Sequence, residues 1–363
     1  MTKLAFTDLL AKLRLSESGD CLSDQRWEQV VRLARSSGLV ARLALYAQRF
    51  GSFRPPESVA WTLQSAHSYW LAQQRIVQWE LYELEKVCSF LGLPLIVLKG
   101  SAYCAADLHA GLGRVFNDID ILLPKSKLGE FKEALKWHGW YQLPLDRYDQ
   151  HYYEHWMHEL PPMRHIKRGT TLDVHHNIVP ETCSLCPNAQ LLLDAAVNID
   201  GTAYWMLSPE DRLLHSATHL MLGGEFDNGL RDLTDIDLLL RQACDDDADF
   251  QRKLLARAAQ LGLALPLFYA LWACKALLHT PLSDSVLHEL QSTAKLGRLR
   301  LKLMTAILLA ALRPSHPLCD GLGVAVARWL LYLRSHWLKM PPQLLIPHLL
   351  RKAWLRLSNS EAH

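Results

Sequence analysis

The segment between residues 95 and 176 constrains the fold of this 363-residue chain more than any other part. It opens with Leu95-Ile96-Val97-Leu98, an apolar run that lies between a proline and the glycine at position 100. Such a short apolar run favours a buried strand over a helix. Asp118–Leu123 alternates polar and apolar residues, and Thr170–His176 is rich in Thr and Val, so both are expected to be strands. The segment therefore predicts a mixed sheet with helices between its strands.

Helical patterns lie on both sides of this segment. Residues 1–55 predict short amphipathic helices, and Pro55-Pro56-Glu57 starts a long helix that ends near Leu91. After Leu191 strand signals are few, and Ser208-Pro209-Glu210-Asp211 is a strong helix start. The remaining elements are expected as helices at Ser101–His109 and Ser126–Trp137, strands at Trp140–Leu143 and Tyr152–His158, and C-terminal helices near 211–222, 230–243, 247–261, 264–278, 283–292, 298–312, 321–338 and 343–357.

These patterns predict an α+β fold. A small mixed-sheet core at 94–200 would be flanked by an N-terminal helical region at 1–93 and a larger all-α C-terminal domain at 201–363. Half of the residues are hydrophobic and the net charge is +2, which excludes a disordered or collagen-like chain.

The N-terminal residues show no charged region followed by a long apolar one, so we expect no signal peptide and a cytoplasmic protein with reduced thiols. The longest apolar run, Leu303–Leu312, is too short to span a bilayer, so no transmembrane segment is expected.

Three aspartates are the main candidates for chemistry. Residues two apart on a strand share a face, so Asp118 and Asp120 would project together, and Asp173 would join them from a neighbouring strand. Adjacent carboxylates raise each other's pKa, and a divalent cation removes that penalty. Mg²⁺ prefers oxygen ligands, and Mn²⁺ is a possible substitute. The alternative is a set of exposed acids on an edge strand.

Several neighbours could bind a nucleotide. Gly100 and Ser101 would let the backbone approach a phosphate, with the following helix offering its free N–H groups. Lys99 and Arg114 are candidate cations for a triphosphate, although a strand-end lysine and a solvated loop arginine would look the same in the sequence. His175 shares the face of Asp173 and could steer an acceptor, orient the carboxylate, or simply be half-buried.

The motifs Leu98-Lys99-Gly100-Ser101, Arg114-x-x-x-Asp118-Ile119-Asp120 and Leu172-Asp173-Val174-His175 resemble those of the DNA polymerase beta-type nucleotidyltransferase superfamily. More specifically, they are similar to a bacterial family of uncharacterised nucleotidyltransferases. The resemblance covers about residues 94–177. Gly100 lies farther ahead of Asp118 than in many superfamily members, and we expect a helical turn through Ala102–His109 to fill the gap.

This resemblance implies transfer of a nucleotidyl group from an NTP such as ATP to an acceptor by two-metal catalysis. Asp118, Asp120 and Asp173 would bind the metals, and Asp173 would also activate the acceptor. A small-molecule hydroxyl is the acceptor expected first. The alternatives are a toxin-like nucleotidyltransferase that acts on tRNA or protein, and a non-catalytic binding or scaffold protein on the same fold.

Other charged clusters leave alternatives open. From Lys295 to Ser360 the only acid among the basic residues is Asp320, which suits nucleic acid, an anionic surface or ordinary solvated helices. Asp235-Ile236-Asp237 repeats the Asp-Ile-Asp string, but on a predicted helix, where two residues span about 200° and the acids diverge. Metal binding is the less favoured interpretation of three further groups: His151, His155, His158 and His165; Cys183 with Cys186; and His215 with His219.

Overall fold

The computed structural model describes residues 2–14, 22–49, 53–144, 146, 150, 153, 156–340, 343 and 345. Four helices come first: α1 (Thr2–Leu13), α2 (Asp24–Ser36), α3 (Val40–Arg49) and α4 (Glu57–Phe90). Ser23 caps α2 by accepting a hydrogen bond from the backbone N–H of Arg26. The long helix α4 starts directly after Pro56 and ends before Gly92, as the sequence predicts.

A seven-stranded sheet forms the centre of the described structure. Its strands are β1 (Leu95–Val97), β2 (Asp118–Leu122), β3 (Trp140–Gln142), β4 (Met163–His165), β5 (Thr171–His175), β6 (Val197–Asn198) and β7 (Tyr204–Met206). Their order is β3-β4-β5-β2-β1-β7-β6. The pairs β2–β5 and β1–β7 are parallel and the other pairs are antiparallel, so the predicted mixed sheet is confirmed.

Helices connect and cover the strands. Between the strands lie α5 (Lys99–Ala105), α6 (Leu128–Trp137) and α7 (Ala189–Asp194), with short 3₁₀ turns at His109–Gly111 and Lys125–Lys127. The C-terminal helices are α8 (Pro209–Gly223), α9 (Gly229–Asp246), α10 (Phe250–Gln260), α11 (Ala264–Leu278), α12 (Asp284–Thr293), α13 (Arg298–Ala311) and α14 (Leu322–Lys339). The α+β class is therefore confirmed. None of the described helices combines the length and apolar character that crossing a bilayer requires.

Some local predictions were wrong. β4, β6 and β7 were not expected, and β7 pairs with the central strand β1, so the sheet continues past residue 200. The strand predicted at Tyr152–His158 lies partly outside the described residues, and the described ones there are not in a strand. The helix predicted at 343–357 lies outside the described residues, apart from two helical positions.

A buried ion-pair cluster joins the parts of the chain before, within and after the sheet. Asp235 of α9 binds Arg42 of α3, with Oδ1 2.7 Å from Nη2, and binds Arg114, with Oδ2 2.6 Å from Nε. Arg42 is fully buried, and its guanidinium also donates to the hydroxyl of Thr234 and to the carbonyls of Ala110 and Leu112. The loop before β2 is therefore fixed between α3 and α9.

Asp235→Ala should lower the free energy of unfolding by about 3–5 kcal/mol, because it leaves two buried guanidinium groups without their counter-charge. Urea titration followed by circular dichroism would measure the change. Asp245→Ala, which removes an exposed acid near the end of the same helix, should change stability by less than about 0.5 kcal/mol. If Asp235→Ala lowered the free energy of unfolding as little as Asp245→Ala does, Asp235 would not be the counter-charge that stabilises the two guanidinium groups.

Candidate active site

Strand register brings the three predicted aspartates together. β2 and β5 are parallel neighbours in which Asp120 pairs with Asp173 and Asp118 pairs with Thr171. Side chains of paired residues point to the same side of a sheet, and residues two apart share a face. The three carboxylates therefore lie on one face, while the intervening apolar residues of both strands are buried on the other.

Asp120 is the most contacted of the three. Its Oδ1 is 2.7 Å from Nζ of Lys99 and 2.9 Å from Nε2 of His175. Burial acts to raise the pKa of the Asp120 carboxyl, but the charge of Lys99 and the hydrogen bond from His175 outweigh it and hold that pKa below its usual range. Asp120 is therefore an anion at neutral pH, although only 4% of it is exposed.

The backbone at Lys99 directs its ammonium group to this carboxylate. β1 ends at Val97 and α5 begins at Lys99, so the chain turns from strand to helix within two residues. Lys99 makes that turn with a φ of 46°, a left-handed conformation that costs a non-glycine residue about 1 kcal/mol or more. Burial opposes the charge, yet Asp120 outweighs it and the pKa of Lys99 is raised.

Asp173 and Asp118 carry less compensated charge. Burial, then Glu159 and Asp120, raise the pKa of Asp173 to about 7. Burial and the neighbouring Asp120 also raise the pKa of Asp118. Oδ1 of Asp173 is buried and makes no hydrogen bond. A buried carboxylate oxygen without a donor, beside two more carboxylates, fits a divalent cation with oxygen ligands such as Mg²⁺ or Mn²⁺.

His175 extends the site along β5. Its Nε2 contacts Asp120, and its Nδ1 lies 3.1 Å from Oε2 of Glu159. Glu159 is held opposite it by an isolated antiparallel bridge, and the ring of the adjacent His158 lies 5.3 Å from that of His175. From the sequence, His158 was predicted only as one of a group of histidines, and Glu159 was not predicted. The one clue to Glu159 in the sequence was its position, because it is an acidic residue next to a histidine and lies shortly before β5.

Gly100 and Ser101 occupy the first turn of α5. Both are buried, and the Ser101 hydroxyl donates to the carbonyl of Leu98 at 2.9 Å. A Cβ on Gly100 would lie 2.8 Å from the ring of Phe116, so this glycine lets the helix pack against the loop before β2. A phosphate-binding role for either residue stays a prediction.

Arg114 belongs to the ion-pair cluster with Asp235. It is buried, and its Nη2 also approaches Asp232 Oδ1 at 3.4 Å. Burial disfavours the charged form, but Asp235 and Asp232 outweigh it and raise the pKa of Arg114. Its nearer partners are thus carboxylates of α9, and contact with a triphosphate stays a prediction. Asp237 faces Arg241 and Thr280 instead, as expected for diverging acids on a helix.

Helix α8 lies beside this face of the sheet. Tyr103 of α5 hydrogen-bonds to Ser216 of α8, with the two hydroxyl oxygens 2.5 Å apart. His215 is buried, and burial together with the charge of Lys99 lowers its pKa. Among the described residues, His158, Glu159 and His175 form a group of three whose ligand atoms all lie within 4.8 Å of one another, whereas the three aspartates do not form such a group in the metal-free protein. Metal binding by the pairs His215–His219 and Cys183–Cys186 is not tested by the structure.

Several basic groups of the C-terminal helices contact the protein itself. Arg328 donates to the carbonyls of Ala311 and Arg313, Arg334 donates to that of Met221, and Lys339 donates to that of Gly223. These contacts tie helices together. Binding of nucleic acid or an anionic surface through the basic helices stays a prediction.

Three carboxylates and a histidine on one sheet face, with the ammonium group of Lys99 against one of the carboxylates, could serve the transfer of phosphate-linked groups. The model of the uncharacterised nucleotidyltransferase family matches residues 23–279, which is more than half of the chain. The chain belongs to this family. Membership supports nucleotidyl transfer as its general activity and implies a nucleotide substrate. Neither the curated proteins nor the solved structures contain a match to the chain.

Asp173→Asn should stabilise the protein in the absence of metal ions. The folded-state pKa of about 7 lies above the ordinary 3.8, so stability is lost as pH rises between these values. We expect the variant's melting temperature to exceed the wild-type one by a few degrees at pH 8, on the order of 1–2 kcal/mol, and by less at pH 5.5.

Differential scanning fluorimetry in a chelating buffer would test this expectation. Asp200→Asn, which changes an exposed acid, is the matched control and should have no effect at either pH. An Asp173→Asn variant that is no more stable than wild type at pH 8 would show that the Asp173 charge is compensated in the free protein.

Proposed function

We propose that this protein transfers a nucleotidyl group from an NTP to an acceptor hydroxyl and releases pyrophosphate. The observation that carries the proposal is the placement of Asp118, Asp120 and Asp173 on adjacent parallel strands, with a buried oxygen of Asp173 that has no hydrogen-bond donor. Membership in the nucleotidyltransferase family supports the same activity.

Asp118, Asp120 and Asp173 would hold the divalent ions. When bound, Mg²⁺ would neutralise charge on the triphosphate and align the reacting oxygens. Mg²⁺ usually binds proteins through one or two carboxylates plus substrate phosphates, and this donor set suits that mode. Mn²⁺ accepts the same oxygen ligands and is the expected substitute.

The remaining groups position the substrates. Lys99 uses one of its three N–H donors on Asp120, and the others can meet phosphate oxygens. The acceptor oxygen bonds to the α-phosphorus while the bond to pyrophosphate breaks. Asp173, whose raised pKa of about 7 suits a general base, takes the acceptor's proton. His175 holds Asp120 in place through Nε2.

The acceptor is proposed to be a small-molecule hydroxyl, and a tRNA or protein acceptor would use the same chemistry. Exposed aromatic and aliphatic side chains border a cavity of about 300 Å³ whose lining includes Tyr69, Ile76 and Asp118. This cavity opens beside the first carboxylate and could receive an organic acceptor or a base. The competing hypothesis is a non-catalytic binding protein on the same fold. This hypothesis predicts that the protein does not require a metal ion for its function.

Magnesium should make the wild-type protein bind an NTP. We expect at least one of ATP, GTP, CTP and UTP to raise the melting temperature by several degrees with Mg²⁺ or Mn²⁺, because the triphosphate bridges metal and protein. The double variant Asp118→Asn/Asp120→Asn should lose this shift, whereas Asp200→Asn should keep it.

Calorimetric titration with the stabilising NTP would then give its affinity, and Lys99→Ala should weaken it by about 10-fold through loss of one charge-assisted contact. The binding-protein hypothesis would be favoured if no NTP raised the melting temperature in the presence of the metal ion. It would also be favoured if the double variant kept the wild-type rise. Incubation with the labelled NTP and candidate alcohols, followed by mass spectrometry, would identify the acceptor.

A further inference from the structure

A second group of metal-ligand side chains adjoins the three aspartates. It consists of His158, Glu159 and His175, and one ligand atom from each lies within 4.8 Å of the other two. The backbone fixes these positions. The N–H of His176 donates to the carbonyl of His158 at 2.7 Å, and that of Leu160 donates to Val174 at 2.8 Å. The three side chains are therefore held on paired backbone.

Two ring nitrogens in this group are buried without a hydrogen bond. They are Nδ1 of His158 and Nδ1 of His175. His175 is only 3% exposed, and a buried polar atom without a partner destabilises the folded state. Two such atoms in one cluster indicate that a partner binds there.

The contact between His175 and Glu159 points to the kind of partner. Nε2 of His175 contacts Asp120, so Nδ1 is the ring nitrogen that faces Glu159. Nδ1 lies 3.1 Å from Oε2 of Glu159, yet the two atoms make no hydrogen bond. A ring nitrogen and a carboxylate oxygen this close, with no hydrogen bond between them, are placed as two ligands of one cation.

We propose that His158, Glu159 and His175 form a binding site for a divalent transition-metal ion, beside the three aspartates and separate from them in its ligands. Asp120 is then the carboxylate that orients a metal-binding histidine from behind, an arrangement that is common at such sites. The proposal does not depend on nucleotidyl transfer, because it concerns metal binding by the protein alone.

The ligand types determine which ions fit. Two imidazole nitrogens and one carboxylate favour Zn²⁺, Mn²⁺, Fe²⁺ or Co²⁺ over Mg²⁺, which prefers oxygen ligands only. Three protein ligands leave further coordination positions for water or a substrate oxygen. The side chain of Glu159 is 17% exposed, so the group can be reached from solvent.

Cobalt binding would test the site directly. The full-length protein is stripped with a chelator under reducing conditions and titrated with Co²⁺, with visible absorption and metal analysis as readouts. We expect one Co²⁺ per chain with nitrogen and oxygen ligands. Excess Mg²⁺ should not displace it.

Variants would locate the bound ion. His158→Ala and Glu159→Gln should each weaken Co²⁺ binding by more than about 100-fold, the upper end of what loss of an orienting neighbour costs. His288→Ala removes an exposed histidine of α12, and Asp118→Asn removes a carboxylate of the neighbouring group, so both should bind Co²⁺ as wild type does. Glu159→Gln keeps the side-chain shape and tests the site should His158→Ala not fold.

Three results would overturn the proposal. They are no Co²⁺ binding by the wild type, equal binding by Glu159→Gln and wild type, and a thiolate charge-transfer band, which would place the ion on cysteines. The proposed nucleotidyl transfer is tested independently. Its test is whether Asp118→Asn/Asp120→Asn loses the NTP-induced shift in melting temperature, and that result does not depend on whether Co²⁺ binds.

Discussion

The structure depends on one carboxylate buried between two guanidinium groups. Asp235 is 3% exposed at its side chain and satisfies Arg42 and Arg114 with its two oxygens. Removing these charges from water is expensive, and only close pairing with further hydrogen bonds compensates for it. Arg42 meets that condition through the carbonyls of the loop before β2. The cluster therefore sets where that loop lies and where β2 begins.

Close packing completes this arrangement. Gly113 has a φ of 67°, and a Cβ there would lie 2.4 Å from the backbone of Arg42, so the loop and α3 touch backbone to backbone. Asp118 follows five residues later at the start of β2. This charge cluster thus fixes the end of the strand that carries two of the three aspartates, and β5 adds the third by register alone.

The sequence predicted what depends on local pattern. Period-two alternation placed Asp118 and Asp120 on one face, and the serine–proline start of α8 is confirmed by the hydrogen bond from the N–H of Asp211 to Ser208. Strands of two or three residues, such as β6 and β7, are too short to show a period. β7 is a strand because it pairs with β1, which lies far away in the sequence, and β6 pairs with β7.

Partnerships between distant residues could not be predicted. Arg42 and Asp235 are 193 residues apart, and nothing near either one indicates the other. For Arg114 the sequence offered a phosphate or solvent, and the structure shows carboxylates of α9. Glu159 enters the site because a single bridge sets it against His175. In each case the neighbours of a charged side chain, and hence its chemistry, are decided by tertiary packing.

The position of Arg42 also limits how this architecture can be divided. The guanidinium that supports the loop before β2 belongs to a helix that precedes the sheet by some fifty residues, and the family match begins ahead of that helix, at residue 23. A fragment cut at the first strand would keep every proposed site residue and lose the support beneath them. The helix that carries Arg42 and the sheet are therefore parts of one folding unit, because the strand that holds two of the three aspartates is positioned from outside the sheet.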